Sequence, residues 1–369
     1  MTLVTPAWLN VKSWRDDAAK ATPEAIQRAI YCDAPGIREL AALLSPAAAG
    51  FLEPMAVRAQ QLTRRHFGRT ISLYVPLYLS DYCSSGCVYC GFASDRPQPR
   101  HRLSLTEIES ELAEIKRMGF EEVLLLTGER TPEADFPYLL DSVRKAAGGF
   151  HNVTVEAFPM ATDEYRQIGE AGCTGVTLYQ ETYDPAQYAA LHRWGPKRDY
   201  AARVDAPARV LASGIRTVGI GVLLGLADPI LDGLRLFCHA KYLRKAFWQG
   251  GISISFPRVC QQLGDFTPPH EVSEAFLAQM IFAFRICLPD VPLSLSTRER
   301  PQFRDGVAGI GISKMSIASR TTVGGYRDHA AAIDGQFHVN DDRDIASFCA
   351  MLKAHHLEPI FKNWDAVYR

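Results

Sequence analysis

The sequence predicts an α/β protein folded as a TIM-type (β/α)8 barrel, and three observations support that prediction. Short apolar segments alternate with amphipathic segments from Ile71 onward, the apolar segments number eight, and polar or glycine-rich motifs follow several of them. A strand followed by a helix, repeated along the chain, gives parallel pairing with right-handed crossovers. Eight such units close a barrel. We expect an N-terminal helical extension over residues 1–68, the barrel over residues 69–326, and a C-terminal helical tail over residues 327–369 packed on the barrel.

The predicted elements follow one another in a regular order. The N-terminal extension is predicted to be mostly helical, with Pro23 opening one helix. The predicted strands span residues 71–78, 121–127, 152–157, 174–179, 216–222, 252–256, 292–296 and 310–316. The predicted helices span residues 106–118, 134–147, 163–171, 200–213, 230–246, 271–287 and, in the tail, 342–354. Thr106 and Glu109 are expected to form a capping box for the first barrel helix. In such barrels the chemistry lies at the carboxyl ends of the strands.

Composition excludes several classes of protein. The chain of 369 residues is 47% hydrophobic and 22% charged, with a formal net charge of -1, so it shows no electrostatic footprint for nucleic acid. Apart from one triplet, its nine cysteines are scattered and give no disulfide framework. The chain has neither a signal-peptide pattern nor an apolar run long enough for a membrane span. We therefore expect a cytoplasmic protein that binds neither nucleic acid nor a membrane.

Three cysteines follow the first predicted strand with the spacing C-x3-C-x2-C: Cys83, Cys87 and Cys90, with Tyr89 before the last thiol. Structural zinc normally takes four protein ligands, whereas a [4Fe-4S] cluster takes one thiolate per iron. Three thiolates leave one iron free to chelate another ligand, which favours a cluster. The alternatives are a zinc loop completed by a distant ligand, or core cysteines. The motif is similar to that of the radical S-adenosylmethionine (SAM) superfamily, in which the free iron binds SAM.

Two polar motifs follow the second and fourth predicted strands. Thr127-Gly128-Glu129 combines a glycine that permits close backbone approach with a carboxylate that can accept from an ammonium group. It resembles the radical SAM loop that holds the SAM amino group; an ordinary turn is the alternative. Glu181, in the cluster YQETY, is placed to accept from the two hydroxyls of a ribose. The alternative there is a solvated loop.

The next two candidates lie around the fifth strand. Arg203 falls in a predicted helix, where an arginine is usually solvated or ion-paired; in related barrels an arginine in this region binds the SAM carboxylate. Gly221 and Leu223 belong to the segment GIGVLLGL, which suits a flat adenine ring. The glycines could instead serve tight barrel packing. The segment is not a G-x-G-x-x-G motif opening a helix, which disfavours a nicotinamide-binding fold.

The seventh predicted strand ends in Ser296, Thr297 and Arg298. A guanidinium is suited to bidentate capture of a substrate carboxylate, and the two hydroxyls can support it. The alternative is a structural ion pair of Arg298 with Glu299 or Asp305. We expect Arg298, with Ser296, to contact the substrate.

Together these motifs carry a family resemblance. The segments CSSGCVYCGF, LLLTGE, YQETY, GIGVLLGL, ISFPR, LSLSTRE, GGY at 324–326 and NWD at 363–365 resemble, in order, the 2-iminoacetate synthases, the tyrosine lyases of bacterial thiamine biosynthesis. The resemblance runs from about residue 70 onward. It implies a radical SAM (β/α)8 barrel with a [4Fe-4S] cluster and SAM as cofactors. It also implies cleavage of the Cα–Cβ bond of L-tyrosine to 2-iminoacetate (dehydroglycine) and 4-methylphenol, with 5'-deoxyadenosine and methionine as the SAM products.

The resemblance also assigns roles and partners. It makes the three cysteines the cluster ligands, Glu181 a ribose contact, Arg203 a contact of the SAM carboxylate and Arg298 the anchor of the tyrosine carboxylate. The further implied cofactor contacts are Tyr89, Thr127, Gly128, Glu129, Gly221 and Leu223. The expected protein partners are thiazole synthase and an electron donor such as flavodoxin or ferredoxin.

Several alternatives stay open at this point. The hydrogenase-maturation tyrosine lyase carries a second cluster motif near its C-terminus, where this chain offers only Cys349. Tryptophan lyases share the barrel, and a zinc-stabilised binding module would have no turnover. Glu156 and Glu299 are both candidates for the phenolic proton. Residues 93–102 depart from the lysine-rich stretch expected there.

Overall fold

The structure is a computed structural model. It describes residues 6–262, 264, 266–327 and 335–362. The strands are β1 Thr70–Tyr78, β2 Glu122–Leu126, β3 Asn152–Glu156, β4 Cys173–Thr177, β5 Thr217–Gly221, β6 Gly251–Ser255, β7 Leu293–Leu295, β8 Lys314–Ser316 and β9 Glu358–Ile360. The α-helices are α1 Lys12–Ala19, α2 Pro23–Ile30, α3 Ile37–Leu43, α4 Leu52–Phe67, α5 Leu105–Arg117, α6 Phe136–Ala147, α7 Thr162–Glu170, α8 Pro185–Leu191, α9 Tyr200–Ala212, α10 Pro229–Ala246, α11 Glu274–Cys287, α12 Pro301–Val307 and α13 Ile345–Ala354.

Strands β1 to β8 form a closed parallel barrel, which confirms the predicted fold class. Each strand pairs with the next along the chain, and β8 returns to β1. Different parts of β1 pair with its two neighbours in the barrel. Residues 72–74 pair with β8, and residues 75–78 pair with β2. β2, with the sequence EVLLL, is buried throughout, as expected for a parallel strand covered on both faces.

A ninth strand lies outside the barrel and was not predicted. β9 pairs in parallel with residues 70–72 of β1, and the Glu358 backbone N–H donates to the Arg69 carbonyl at 2.7 Å. It follows α13, which confirms the predicted helix in the tail. The last described segment of the chain is thereby attached to the first barrel strand.

Two local predictions were wrong in their details. The capping box of α5 is formed by Ser104 and Glu107: the Ser104 hydroxyl accepts from the Glu107 N–H at 3.3 Å, and the Glu107 carboxylate accepts from the Ser104 N–H at 2.7 Å. Thr106 lies inside the helix and does not cap it. The eighth strand, predicted over residues 310–316, begins only at Lys314, because Gly311 has a φ of 106° and so leaves the extended conformation.

The helices before β1 cover one side of the barrel. Helices α3 and α4 pack on α11, and α3 also packs on α10. The Gln279 amide of α11 donates to the Leu43 and Ser45 carbonyls, both at 2.9 Å, which satisfies buried backbone groups between α3 and the following turn. The division of the chain at 68/69 and 326/327 stays a prediction.

No single helix among the described residues is both long and apolar enough to cross a membrane. One bent pair, residues 37–43 with 46–67, meets the requirement by length and composition alone.

Candidate active site at the barrel mouth

A cavity of about 950 Å³ opens at the carboxyl ends of the barrel strands. It brings together eight of the residues predicted for the site: Tyr89, Cys90, Glu156, Glu181, Leu223, Ser296, Thr297 and Arg298. The remaining wall is formed by Tyr74, Pro76, Tyr78, Leu124, Leu126, Tyr179, Lys197, Ser255, Pro257, Val259, Cys260, Ser316, Ser319, Thr321, Gln336 and Phe337. The other predicted residues do not line this cavity.

The three thiols of the cluster motif are close enough to influence one another. The Cys83 sulfur accepts from the Glu129 N–H at 3.4 Å, and the Cys90 sulfur accepts from the Phe92 N–H at 3.4 Å. Burial, and then the neighbouring Cys90, raise the pKa of Cys83 to about 11, and burial raises the pKa of Cys87. Thiolates in such a place need a cationic partner, which is what iron supplies. The donor set therefore fits a cluster.

The geometry also bears on the zinc alternative. Among the described residues, no three His, Cys, Asp or Glu side chains converge on a single metal ion. Ligands of a four-iron cluster need not converge, because each thiolate binds its own iron. The arrangement is thus compatible with a cluster and disfavours a mononuclear zinc loop.

The loop that carries the three cysteines, residues 79–92, is called the cluster loop here. It pairs with the end of α8 and the residues that follow this helix. The Gly86 N–H donates to the Trp194 carbonyl and the Val88 N–H donates to the Leu191 carbonyl, both at 3.1 Å. Tyr89 adds a side-chain contact, since its hydroxyl lies 2.7 Å from His192 Nε2. Burial, and then Lys197, lower the pKa of His192 to about 3, so the ring is neutral and accepts from Tyr89.

Residues 93–102, which differ from the lysine-rich stretch expected there, also stabilise the cluster loop. Arg96 donates to the Val88 carbonyl at 2.8 Å, and the Gln98 amide donates to the Gly91 carbonyl at 2.7 Å. Arg100 donates to the carbonyls of Asp81, at 2.8 Å, and Phe92, at 3.1 Å. These side chains satisfy carbonyl groups of an irregular loop, in addition to the backbone hydrogen bond from the Ser94 N–H to the Ser85 carbonyl at 3.0 Å.

Gly128 permits the end of β2 to touch the cluster loop. A Cβ atom at this position would lie 2.4 Å from the Tyr82 carbonyl oxygen and 2.7 Å from the Cys83 Cβ. Gly128 thus lies against Cys83, and neither Thr127 nor Gly128 lines the cavity. Gly221 also lies behind the cavity wall, where a Cβ would meet the Ser255 carbonyl at 2.6 Å, as the alternative of tight barrel packing requires.

A buried chain of charges links the ends of β2 and β4. Arg203 Nη1 lies 2.9 Å from Glu129 Oε1, and Arg203 Nη2 lies 3.9 Å from Glu181 Oε1. The same guanidinium donates through Nε to the Tyr179 carbonyl at 2.9 Å. The second oxygen of Glu129 is buried and has no partner among the described residues. This orphaned acceptor fits a bound cation such as an amino group.

Lys197 completes the chain and was missed by sequence analysis. Its ammonium lies 2.6 Å from Glu181 Oε1. Burial alone would raise the pKa of Glu181, but Lys197 and then Arg203 lower it below the ordinary value, so the carboxylate is ionised. Glu181 also has a φ of 69°, a conformation that a non-glycine residue holds only when its surroundings enforce it.

Glu156, at the end of β3, contributes a carboxyl group to the cavity. Its side chain makes no hydrogen bond or ion pair within the described part of the chain. Burial, and then the negative charge of Glu181, raise its pKa to about 7. It can therefore hold or release a proton near neutral pH.

Arg298 faces the cavity without a carboxylate partner among the described residues. Both alternative ion pairs are wrong: Glu299 accepts from Arg258 Nε at 3.0 Å, and Asp305 pairs with Arg343 at 2.8 Å. The Arg298 guanidinium instead stacks on Phe337, with its central carbon 3.4 Å from the ring centroid. It is free to bind an added carboxylate.

A segment of the tail, residues 335–341, covers the mouth and was also missed. The Tyr78 hydroxyl donates to Gln336 Oε1 at 2.8 Å, and the Gly91 N–H donates to the Gln336 carbonyl at 3.3 Å. The Asn340 N–H donates to the Thr297 carbonyl at 2.9 Å. The segment thus joins the cluster loop to the end of β7. The NWD motif at 363–365 lies outside the described residues.

Comparison with known proteins agrees with this geometry. Residues 77–233 match the radical SAM superfamily, and residues 255–358 match the biotin and thiamin synthesis associated domain. The chain is 40% identical to the 2-iminoacetate synthase of Escherichia coli over 342 residues, which cover 92% of this chain and 90% of the relative. It is 38% identical to the 2-iminoacetate synthase of Salmonella typhimurium over 370 residues, 99% of this chain and 98% of the relative.

A solved structure shows the same architecture. The crystal structure of HydG, a maturase of the [FeFe]-hydrogenase, superposes with a TM-score of 0.91 at 30% identity, covering 98% of this chain and 82% of that chain. Radical SAM membership implies a [4Fe-4S] cluster and SAM as cofactors, as the cysteine motif predicted. The barrel, the cysteine loop at its mouth and the extent of these similarities lead to one conclusion: the chain belongs to the 2-iminoacetate synthase family of the radical SAM superfamily.

Proposed function

We propose that this chain cleaves the Cα–Cβ bond of L-tyrosine to give 2-iminoacetate and 4-methylphenol, with SAM consumed to 5'-deoxyadenosine and methionine. The observation that carries the proposal is that Arg298, a cation with no carboxylate partner among the described residues, opens on the same cavity as Cys90. Family membership supports it, since identity to the two 2-iminoacetate synthases exceeds identity to HydG.

The residues at the mouth can hold both cofactors. Cys83, Cys87 and Cys90 would each bind one iron, and the cluster with SAM supplies hydrogen-abstracting chemistry when bound. The orphaned oxygen of Glu129 would accept from the SAM amino group. Arg203 keeps N–H donors beyond those used by Glu129 and the Tyr179 carbonyl, so it can also bind the SAM carboxylate.

Glu181 and Leu223 would position the nucleoside of SAM. The Glu181 carboxylate has more acceptor sites than Lys197 uses, so it can also accept from ribose hydroxyls. Leu223 lines the cavity and offers an apolar surface to the adenine. Because Arg203 and Lys197 fix Glu181 before any ligand binds, little ordering cost remains.

Arg298 would fix the amino acid by its carboxylate. Stacking on Phe337 holds the plane of the guanidinium, which favours bidentate binding. The Ser296 hydroxyl accepts from the Arg298 N–H at 3.4 Å and orders the turn that carries it. The protein's contribution is mainly this positioning.

Of the two carboxyl groups considered for the phenolic proton, we propose Glu156. Glu299 is held by Arg258 and does not line the cavity, whereas Glu156 lines it without a partner among the described residues. Tyr74 and Tyr179 line the same wall and offer aromatic faces to a phenol ring. The side chain of the substrate would then point from Arg298 toward these groups.

We propose thiazole synthase as the protein that receives 2-iminoacetate, and a small reduced electron carrier as the donor to the cluster. Both partners follow from the family resemblance. The instability expected of an imine in water gives a further reason for a protein that receives 2-iminoacetate directly. We also propose a cytoplasmic location. The nine cysteines, which all lie within the described ranges, are free, as a reducing compartment favours.

The test is anaerobic incubation of reconstituted protein with SAM, dithionite and L-tyrosine, followed by assay of 5'-deoxyadenosine and 4-methylphenol. We expect both products, and brown protein that contains iron and sulfide. L-tryptophan in place of tyrosine is the control for substrate class. An indole-derived product without 4-methylphenol would point to another aromatic amino acid. Colourless protein with stoichiometric zinc and no turnover would contradict the enzyme itself.

A further inference from the structure

We propose that Trp194 and the basic residues around it form the docking surface for the electron carrier, and that the carrier is a small acidic protein. The inference rests on the proposed function, because only a redox cluster behind this surface gives a carrier a reason to bind there. It names a surface, a partner chemistry and the residues that select it.

Trp194 lies directly on the cluster loop. Its ring covers Gly86, so closely that a Cβ atom there would lie 2.3 Å from Trp194 Cε2. Gly86 stands between Cys83 and Cys87 and donates its N–H to the Trp194 carbonyl at 3.1 Å. The ring is nevertheless 39% exposed. An exposed aromatic ring therefore joins solvent to the backbone that carries two of the three thiols.

The position of this ring is fixed by its neighbours. The Trp194 Nε1–H donates to the Ser94 hydroxyl at 2.8 Å, and the Arg193 guanidinium stacks on the ring, 4.4 Å from its centroid. Arg193 also pairs with Asp95 at 2.5 Å. A large aromatic that is both held and exposed is suited to an interface, because little conformational entropy is lost when a partner covers it.

The surface around Trp194 is strongly basic although the whole chain has a formal net charge of -1. The segments 91–102 and 193–199 contain two acidic residues, Asp95 and Asp199. They contain five arginine residues that reach the surface: Arg96, Arg100, Arg102, Arg193 and Arg198. Lys197 lies between them in sequence, but it is paired with Glu181 inside the site and adds no charge to this surface. A concentration of one sign of charge steers a partner of the opposite sign and raises its association rate.

Most of this positive charge is not neutralised by carboxylates. Arg96 and Arg100 donate to backbone carbonyls of the cluster loop, which satisfies their hydrogen bonds and leaves their charge. Arg198 is exposed, and its side chain makes no hydrogen bond or ion pair within the described residues. The adjacent Lys197 N–H donates to the Ser85 hydroxyl at 3.2 Å. The basic segment is thus attached to the cluster loop itself.

The chemistry at this surface is a single electron transfer. The carrier is oxidised by one electron and the cluster is reduced by one electron, with no bond made or broken in this chain. An exposed tryptophan alone would not identify the surface. Trp248 is 79% exposed, but it precedes β6 and so lies at the amino ends of the strands, opposite the cluster.

The test compares two reductants with one readout, the rate of 5'-deoxyadenosine formation. Saturating dithionite needs no docking surface, whereas limiting reduced flavodoxin, a small acidic carrier, does. The variants are Arg198→Glu, which reverses an exposed charge, and Trp194→Phe, which keeps an aromatic ring over Gly86. Their matched controls at the opposite rim are Lys241→Glu and Trp248→Phe, and iron and sulfide content is measured for all four.

We expect Arg198→Glu to slow the flavodoxin-driven rate about tenfold at low salt and to weaken its salt dependence, with the dithionite-driven rate unchanged. Trp194→Phe should slow the flavodoxin-driven rate severalfold, and both controls should match the wild type. Equal flavodoxin-driven rates in Arg198→Glu, Trp194→Phe and the wild type would overturn the proposal. So would equal losses with both reductants, since that places the residues in cluster assembly. If the wild type forms 5'-deoxyadenosine but no 4-methylphenol, the proposed function fails and the docking surface is still tested.

Discussion

Arg203 and Glu129 form a buried ion pair, 2.9 Å between Nη1 and Oε1, that ties helix α9 to the end of β2. We expect Arg203→Met to lower stability by about 3–5 kcal/mol, because it leaves buried carboxylates without a cation. We expect Arg203→Lys to raise the Kd for SAM about tenfold or more, since an ammonium cannot replace a fork of donors. Urea denaturation and SAM binding measure the two effects. Arg166→Lys, in the exposed pair with Asp163, is the control and should change stability by less than about 1 kcal/mol.

Arg298→Lys tests the carboxylate anchor. Loss of a bidentate charged hydrogen bond costs about 1.5–3 kcal/mol, so the KM for tyrosine should rise roughly tenfold to a hundredfold. Binding of SAM should be unchanged. The control is Arg300→Lys, whose exposed side chain pairs with Glu274. Undiminished cleavage with unchanged tyrosine affinity would remove Arg298 from the site.

Glu156 should make stability depend on pH. Its pKa in the folded state is raised to about 7 by burial and by Glu181, above the ordinary value of 4.5. The folded state therefore binds the proton more tightly, and this stabilisation is full below about pH 4.5 and lost as the pH rises through 7. Glu156→Gln should be more stable than the wild type at pH 8, by up to about 3 kcal/mol, and similar at pH 4.5.

Anaerobic urea titrations of both proteins at the two pH values measure that difference. Asp232 also has a pKa raised to about 7, so only the difference between variant and wild type reports on Glu156. A parallel pH dependence in the two proteins would show that Glu156 is not the proton-binding group. The variant should also slow 4-methylphenol formation more than SAM cleavage.

Asp232 is expected to position Glu181 without touching the cofactor. Its carboxylate accepts from the Tyr183 N–H at 2.8 Å and from the Thr182 hydroxyl at 3.1 Å, the two residues that follow the strained Glu181. Asp232→Ala should raise the KM for SAM about fivefold to thirtyfold, with kcat at saturating SAM nearly unchanged, since one or both lost hydrogen bonds are each worth about 1 kcal/mol. Asp232→Asn keeps an acceptor oxygen and should restore most of the affinity. Equal KM values in all three proteins would contradict the positioning role.

Gly128→Ala should impair assembly of the cluster, because its Cβ would collide with the Tyr82 carbonyl and with Cys83. We expect less than half of the wild-type iron content after reconstitution. Gly149→Ala is the control, because open space surrounds a Cβ at that position. Wild-type iron content in Gly128→Ala would show that the two loops can separate without cost.

The barrel could be predicted because its signal is repeated. Eight apolar segments separated by amphipathic ones fix strand order through the right-handed crossover, even where individual bounds are wrong. The ninth strand has no such signal. It has three residues, includes Pro359, and exists because the edge of β1 at residues 70–72 is available to it.

The residues of the candidate site also fall into a group that the sequence predicts and a group that it does not. Glu181 and Arg298 come directly after predicted strands, and Cys90 lies in the loop that follows the first one, so the barrel rule brings all three to one rim. Lys197 and Phe337 come from loops whose course depends on tertiary packing. Neither residue belongs to a motif with a recognisable spacing, and only the pairing of the 191–194 segment with the cluster loop places Lys197 beside Glu181.

The pairing of β1 with both β8 and β9 has a consequence for biosynthesis. The ribosome makes β1 long before residues 314–316 and 358–360, so the nascent chain carries an unpaired strand edge, and the barrel can close only after β8 has been made. Cys83 lies in the loop that follows β1, so it is synthesised while this strand edge is still unpaired. Before β8 is made, the barrel that supports the cysteine loop is incomplete, so we expect iron to be loaded only after β8 has been synthesised and paired.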